Sequence, residues 1–562
     1  MPLKSRWQLD IPDAHLASLL FTSPTHPLST TNRCFSEAAR PDTHYFTTHD
    51  FRLWCQRFAA GLRKAGLQPG DRVLLFSGND LFFPVVFMGV IMAGGVFTGA
   101  NPTYVARELA FQLQDSGATY LICAENSLDT GIEAARITGL QRDRVFVFNN
   151  AVFDGQGNGQ KGCRYWGELV ASVDEGRQFV WDSLSTPELA NRTLALNYSS
   201  GTTGRPKGVE ISHKNYCANM LQYNFPFYLW PDWRDRQERS RWLCFLPMYH
   251  AMAQNIFIAA ALRREVPVYI MSKFDFLKVL EYTEKFRISD LIMVPPVMVA
   301  LAKHPAVKSG EYDLNSVESV MCGAAPLGRE VCEEVEALWE PGRINIKQGW
   351  GMTETTCSLM SWDPTEWSNT ASVGELNANC EARIMAEDGV TELGRNQRGE
   401  LWVRGPNIMK GYWHNPQATR ETKTEDGWLK TGDIAYIDDQ GKFYVVDRKK
   451  ELIKVKGNQV APAELEALLL EHPAVADAAV IGIPVNDDER PRAYIMLKPG
   501  LSATAQDILA FMDGKVSAIK RITGGVVFVD AIPKNPSGKI LRKVLRDRAR
   551  EEITQPSKTA RL

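Results

Sequence analysis

Between Tyr198 and Val209 the chain reads Tyr-Ser-Ser-Gly-Thr-Thr-Gly-Arg-Pro-Lys-Gly-Val, gathering four aliphatic hydroxyls, three glycines and two cations in one short run. This composition suits a phosphate. Gly201, Gly204 and Gly208 permit positive φ and close backbone approach, while Ser199, Ser200, Thr202, Thr203 and Lys207 supply donors with little bulk. Thr193 to Tyr198 is apolar and Val209-Glu210-Ile211 alternates, so the loop is expected to join two strands as a hairpin. The nucleotide P-loop instead requires Gly, four residues, then Gly-Lys-Ser/Thr ahead of a helix. Counting from Gly201 puts Pro206 at the second glycine and Gly208 at the hydroxyl, and Pro206 lacks the N–H that such a cradle needs. The P-loop reading fails.

At 562 residues and 44% hydrophobic types, the chain exceeds what one hydrophobic core serves, so several domains or subdomains are expected. Its 64 basic and 66 acidic residues nearly cancel and form no long block, which argues against nucleic acid or an anionic membrane surface as partner. The ten cysteines run from Cys34 to Cys380 without a Cys-x-x-Cys pair, so neither a zinc site nor a disulfide framework is expected. Near the start, Asp10 and Asp13 interrupt the chain before any apolar core, unlike a secretory signal. Leu81 to Ala100 carries no charge over twenty residues, yet Pro84, Gly89, Gly94, Gly95 and Gly99 would weaken a lipid-facing helix. It reads as a buried helix of a large core, and no transmembrane segment is expected.

Strand-like runs at Arg72 to Phe76 and Tyr120 to Cys123 alternate with helical patterns at Asp50 to Ala65 and Arg107 to Asp115, which is an α/β signature. From Gly374 to Val446 short β runs are divided by Gly, Asp and Asn turns, suggesting a β-rich subdomain. Asp154 to Gly159 and Pro231 to Arg241 read as solvated loops. Beyond Asp447 the pattern gives helices near Ala463 to Leu470 and Ala505 to Phe511, with strands near Ala474 to Gly482 and Ala493 to Leu497.

The Tyr198 to Val209 run resembles the phosphate loop of the adenylate-forming superfamily, which comprises acyl-CoA synthetases, firefly luciferases and peptide-synthetase adenylation domains. Gln348-Gly349-Trp350-Gly351-Met352-Thr353-Glu354 resembles the family's aromatic-Gly-Met-Thr-Glu motif, and Gly399 to Gly405, continuing to Pro416, its Gly-Glu strand and Gly-Tyr loop. Thr431-Gly432-Asp433, Val446 to Lys454 and Pro533 to Ile540 follow in the family's order, so the likeness spans more than three hundred residues. Leu246-Pro247-Met248-Tyr249-His250 and Val460-Ala461-Pro462-Ala463-Glu464 are most similar to 4-coumarate:CoA ligases and related acyl-CoA ligases. The resemblance implies a large α/β N-terminal domain over residues 1–446, with two α/β sheets and the β-rich subdomain at 374–446. A hinge at 447–450 centred on Lys450, a small mobile α+β lid at 451–552 and a tail at 553–562 complete the expected organisation.

In such enzymes a carboxylate attacks the α-phosphorus of ATP, releasing pyrophosphate, and coenzyme A then displaces AMP; both steps need positioning and charge neutralisation more than a protein nucleophile. The resemblance assigns Ser199, Ser200, Gly201, Thr202, Thr203, Gly204 and Lys207 to the pyrophosphate, Thr353 to the α-phosphate and Glu354 to Mg2+. Asp433 and Arg448 would hold the ribose, Trp350, flanked by Gly349 and Gly351, would stand at the adenine, and Gly323, Ala324 and Ala325 would also belong to the nucleotide site. Family members commonly have Tyr at that position, so Trp keeps the stacking face but changes the hydrogen-bonding tip. Lys539 would bridge substrate carboxylate and α-phosphate. Lys454, Lys456, Gly457 and Gln459 would approach only after the small domain rotates, to serve thioester formation. His250 would gate the passage between acid pocket and thiol tunnel.

The acid pocket is expected at Tyr249, Met252, the Met321 to Pro326 turn and the residues after Glu354, where Thr355-Thr356-Cys357-Ser358 replaces the plant ligases' Ala-Gly-Pro-Val. That implies a more polar end wall and counts against hydroxycinnamate, leaving aryl acids, medium-chain or hydroxylated fatty acids, or a biosynthetic intermediate. Transfer of the adenylate to a carrier protein, its oxidation as in luciferase, and a catalytically silent binding protein remain the other readings. The final Ala560-Arg561-Leu562 has the form of a peroxisomal address read by an import receptor.

Overall fold

The computed structural model describes residues 2–199, 206–455, 458–485, 488–513, 515–535 and 538–554. The Ala560-Arg561-Leu562 end of the chain therefore lies outside the described residues. Two sheets of the α/β kind form the frame. In the first, Val96–Ala100, Arg72–Phe76, Tyr120–Ala124 and Val145–Phe148 run parallel and adjoin Thr193–Ser199, to which Lys207–Ser212 returns antiparallel. The second carries Lys347–Gln348, Ser319–Cys322, Asp290–Met293, Trp242–Cys244 and Val268–Ile270 in parallel. Strands buried on both faces must be apolar throughout, as Arg72–Phe76 is after its first residue.

Helices Thr48–Lys64 and Ala106–Ser116 match the expected patterns to within two residues at either end. The uncharged stretch does not. Leu81 to Ala100 divides into a fully buried helix, Phe83–Met92, and a strand, Val96–Ala100, with Pro84 at the helix start. A turn through Gly94 and Gly95 separates them, so the stretch holds a ten-residue helix and a five-residue strand. No described helix is long and apolar enough to cross a membrane. Pro231 to Arg241 is likewise more ordered than a solvated loop: Trp233–Arg239 is helical, and Arg236 and Arg239 both reach Glu318. Cation stacking of Arg236 over Trp230 at 4.0 Å anchors its charged face.

The β-rich region is an antiparallel sheet of Glu381–Met385, Gly399–Arg404, Leu429–Ile437 and Phe443–Arg448, completed by Leu3–Lys4 from the other end of the chain. After Arg448 the chain turns through Lys450, which is exposed. The C-terminal portion has its own core, in which Val475–Val485, Asp488–Leu497 and Val526–Phe528 pack against Pro462–Leu470 and Ala505–Met512. A last helix, Arg542–Thr554, lies over that sheet through Leu545 and Ala549. All ten cysteines are free thiols, nine of them buried.

Candidate active site

The strands flanking the hydroxyl- and glycine-rich run pair as a hairpin: Ser199 with Lys207, Tyr198 with Gly208 and Asn197 with Val209. Ser200, Gly201, Thr202, Thr203 and Gly204 lie outside the described residues, as do Lys456 and Gly457. Tyr198 donates its hydroxyl to Asp115 at 2.6 Å, which pins one strand of the hairpin to the helix Ala106–Ser116. Lys207 lies with its ammonium 4.6 Å from the centre of the Tyr412 ring, and the Tyr412 hydroxyl donates to Glu354 Oε1 at 2.9 Å. Lys207 and Glu354 are thereby held by one aromatic side chain. Glu354 is 6% exposed, and its second oxygen has no protein donor among the described residues.

Asp433 and Arg448 face each other across the antiparallel pair Leu429–Ile437 and Phe443–Arg448, with Arg448 Nε 3.5 Å from Asp433 Oδ1. Trp350 gives its indole N–H to Asp433 Oδ2 at 2.9 Å. The Trp tip thus orients the carboxylate. Burial pushes the Asp433 pKa up, while Arg448 and the Trp350 hydrogen bond oppose that shift. Ala324, at φ +74, holds a left-handed conformation unusual for a residue with a Cβ, in the turn after the strand Ser319–Cys322.

Lys539 belongs to the C-terminal portion yet lines the same cavity as Ser199, Thr353, Glu354 and Arg448. Its backbone N–H donates to Asn535 Oδ1 at 2.8 Å, and its carbonyl accepts the Asn535 N–H at 2.9 Å, closing the loop that presents the side chain. Gly538, at φ +81, lets that loop press against Pro296; a Cβ there would stand 2.6 Å from the proline ring. Burial, helped by Arg448, lowers the Lys539 pKa to about 8, against the pull of Asp433 and Glu451. An ammonium so placed is a cation waiting for anions.

The cavity measures about 600 Å³ and continues past His250, Met252 and Cys357. His250 stacks at 4.5 Å on Tyr249, and burial takes its pKa down to about 4, so the ring is neutral at physiological pH. Tyr249 is turned away from this cavity and presses on the strand Val96–Ala100. A Cβ at Gly99 would meet its backbone at 3.1 Å, so a glycine is needed there. The polar end wall is only partly as expected. Cys357 and Ser358 line the cavity, but Thr355 and Thr356 are fully buried, with hydroxyls donated to the carbonyls of Met352 and Asn407. Their polarity is spent on holding the backbone. Gly323 and Ala324 line this cavity, whereas Ala325 faces a second one.

Lys454 and Gln459 pair across the short hairpin Ile453–Val455 and Asn458–Val460, where both are exposed and neither lines the cavity. Sequence reasoning passed over Tyr412 and Asn535, and also Lys347, whose ammonium donates to the Pro364 carbonyl at 2.9 Å and is lowered by burial to about 8. Lys347 sits one residue before Gln348, so strand alternation from the motif was the available signal.

A nucleotide-sized cleft closed by a lysine from a separate C-terminal unit defines the class, and comparison with known proteins agrees. Residues 30–413 match the AMP-binding enzyme family and residues 464–539 the AMP-binding enzyme C-terminal domain, so the chain belongs to that family. It is 38% identical over 515 residues to acyl-CoA synthetase ACTT5 of Alternaria alternata, covering 90% of this chain and 86% of that one. To 4-coumarate–CoA ligase 1 of Petroselinum crispum it is also 38% identical, over 530 residues, 92% of this chain and 91% of the relative. The ATP-bound crystal structure of MatB from Rhodopseudomonas palustris superposes with a TM-score of 0.80 at 26% identity, over 96% of this chain and 99% of that one.

Proposed function

We propose that the protein is an ATP-dependent, AMP-forming acid:CoA ligase, which activates a carboxylic acid as its acyl adenylate and then transfers the acyl group to coenzyme A. The observation that carries this reading is Lys539 in one cavity with Thr353, Glu354 and Arg448. Substrate carboxylate and α-phosphate are both anions, and a single ammonium between them offsets a repulsion greatest at the transition state. Trp350 and Asp433 would orient the nucleoside, with the Asp433 carboxylate accepting the ribose hydroxyls beside Arg448. Lys207 and the hydroxyl-rich turn would take the departing pyrophosphate.

Glu354 fits a magnesium ion: one oxygen is fixed by Tyr412, the other is open to the cavity, and a hard cation takes its remaining ligands from phosphate and water. Bound there, Mg2+ would neutralise phosphate charge. Among the described residues no cluster of three potential metal ligands occurs, in keeping with an ion that arrives with the nucleotide. The thioester step would use a different arrangement, in which rotation about Lys450 withdraws Lys539 and brings the exposed Lys454 and Gln459 inward.

A pyrophosphate-release screen over a panel of acids, with and without coenzyme A, tests the reading. Pyrophosphate and AMP in equal amounts, with an acyl-CoA product, are expected. Adenylate that accumulates whether or not coenzyme A is present would instead point to a carrier protein or an oxidation, and no pyrophosphate with any acid would leave a binding protein.

A further inference from the structure

The cavity runs far below the reacting end, and strand register lays out its floor. Met321 pairs with both Ile292 and Lys347, while Asp290 pairs with both Ser319 and Trp242. Residues two apart on a strand share a face, so Ile292, Met321 and Lys347 form one row and Trp242, Asp290 and Ser319 the row beneath it. All six line the same cavity. From Gly323, at the reacting end, to Ser319 is four residues of strand, about 13 Å or twelve backbone bonds. An extended aliphatic acid of about ten carbons covers that distance.

The bottom row is polar and incompletely partnered. Trp242 is 1% exposed, and its indole N–H has no acceptor. Arg264, 6% exposed, lays its guanidinium 3.3 Å from the centre of the Phe227 ring and gives Nη2 to Ser240 Oγ at 3.1 Å and Nε to Gln237 Oε1 at 3.4 Å. Its Nη1 has no acceptor among the described residues. Asp290 receives the Ser289 hydroxyl on Oδ2 at 2.5 Å, and Oδ1 has no donor in hydrogen-bond geometry. Trp242 and Arg264 stand near enough to favour the charged carboxylate, yet among the described residues no ion pair closes between Arg264 and Asp290. Arg264 Nη1 and Asp290 Oδ1 therefore line one end of the cavity without closing an ion pair, while the Trp242 indole faces the Asp290 carboxylate. A donor and an acceptor side by side in a cavity are answered together by a group that both accepts and donates.

We propose that the acyl cavity recognises an extended aliphatic acid of about ten carbons carrying a hydroxyl at its far end. The hydroxyl oxygen accepts from Arg264, and its hydrogen goes to Asp290, which the Trp242 indole faces. Two cations, Arg236 and Arg264, and two carboxylates, Asp290 and Glu318, line that end of the cavity, so its formal charges offset and an uncharged polar group fits there better than a second carboxylate. An unsubstituted alkyl end leaves the polar groups unmet and should be rejected for that reason. The inference rests on the acid:CoA ligase reading for its chemistry, but the recognition it describes can be measured by binding alone.

The full chain is titrated calorimetrically with 10-hydroxydecanoic, decanoic and decanedioic acids, and pyrophosphate release is followed with each. At least tenfold tighter binding and tenfold higher kcat/KM are expected for the hydroxy acid over decanoic acid, with decanedioic acid weakest. Asp290→Asn, which keeps the side-chain volume, and Trp242→Phe, which removes the indole N–H that faces Asp290, should each lower the hydroxy-to-plain ratio at least threefold. Equal affinity and equal kcat/KM for the hydroxy and plain acids, or a ratio unmoved by both substitutions, would overturn the proposal. Hydroxyl-selective binding without pyrophosphate release from any acid would sink the ligase reading and leave this one standing. Pyrophosphate release without hydroxyl preference would do the reverse.

Discussion

Replacing Lys539 with Ala should disable one half-reaction and spare the other. Burial holds the ammonium at a pKa of about 8 instead of 10.5, so the protein holds that charge in the cavity at a cost of about 3 kcal/mol. Anionic substrate and nucleotide recover this energy as they bind, and most fully where carboxylate and phosphate meet. Losing one preorganised donor at such a place lowers rates by roughly 10²- to 10³-fold. Adenylate formation, read as pyrophosphate release, should fall by that factor, while thioester formation from synthetic acyl adenylate should stay within about threefold if, as proposed, Lys539 withdraws before that step. In the wild type, kcat/KM for adenylation should decline above about pH 8 as the free enzyme's ammonium loses its proton. The second half-reaction should lack that limb. Stability follows the opposite course: the penalty on the charged form is complete below pH 8 and fades as pH rises toward 10.5, so Lys539→Ala should melt higher than wild type at pH 7 and match it at pH 10.5. Equal damage to both half-reactions, or an adenylation rate flat through pH 9, would refute the reasoning.

Lys450→Pro should leave adenylation near wild type and cut thioester formation at least tenfold, because proline fixes φ where the turn has to rotate; single-turnover assays of each half-reaction decide this. Trp350→Phe removes the donor to Asp433 Oδ2 while keeping an aromatic face, and should raise the KM for ATP about tenfold with little change in kcat. In the C-terminal portion, Arg542 holds Glu466 through two hydrogen bonds at 2.7 and 2.9 Å, with both side chains only about a tenth exposed. Arg542→Met strands a buried carboxylate and should destabilise that portion by about 3–5 kcal/mol in chemical denaturation.

Much of the site is legible in the sequence because its groups sit on short segments whose neighbours fix them. Ser199 and Lys207 flank a Gly-rich turn that had to be a hairpin, and Trp350, Thr353 and Glu354 follow one another within a few residues. Asp433 and Arg448 are fifteen residues apart but meet through the turn near Gly441, which antiparallel pairing makes a local event. The errors arise where a local pattern has two solutions. An uncharged run such as Leu81 to Ala100 suits a buried helix and a buried strand equally, and the layers it packs between chose one of each. Thr356 is polar by type, but whether its hydroxyl faces a cavity or a carbonyl depends on Asn407, 51 residues along the chain.

The amino-acid order by itself carried the family resemblance that implies the reaction class, through the hydroxyl- and glycine-rich run, the Gly-Trp-Gly-Met-Thr-Glu motif, Asp433 and Lys539. Only the tertiary structure decided that Lys539 reaches the cleft while Lys454 and Gln459 face solvent, and that Trp242, Arg264 and Asp290 gather at one end of the cavity. These groups come from separate strands and a helix end, and what brings them together is parallel strand register and sheet packing. Register is fixed by contacts across the sheet, which no stretch of neighbouring residues contains.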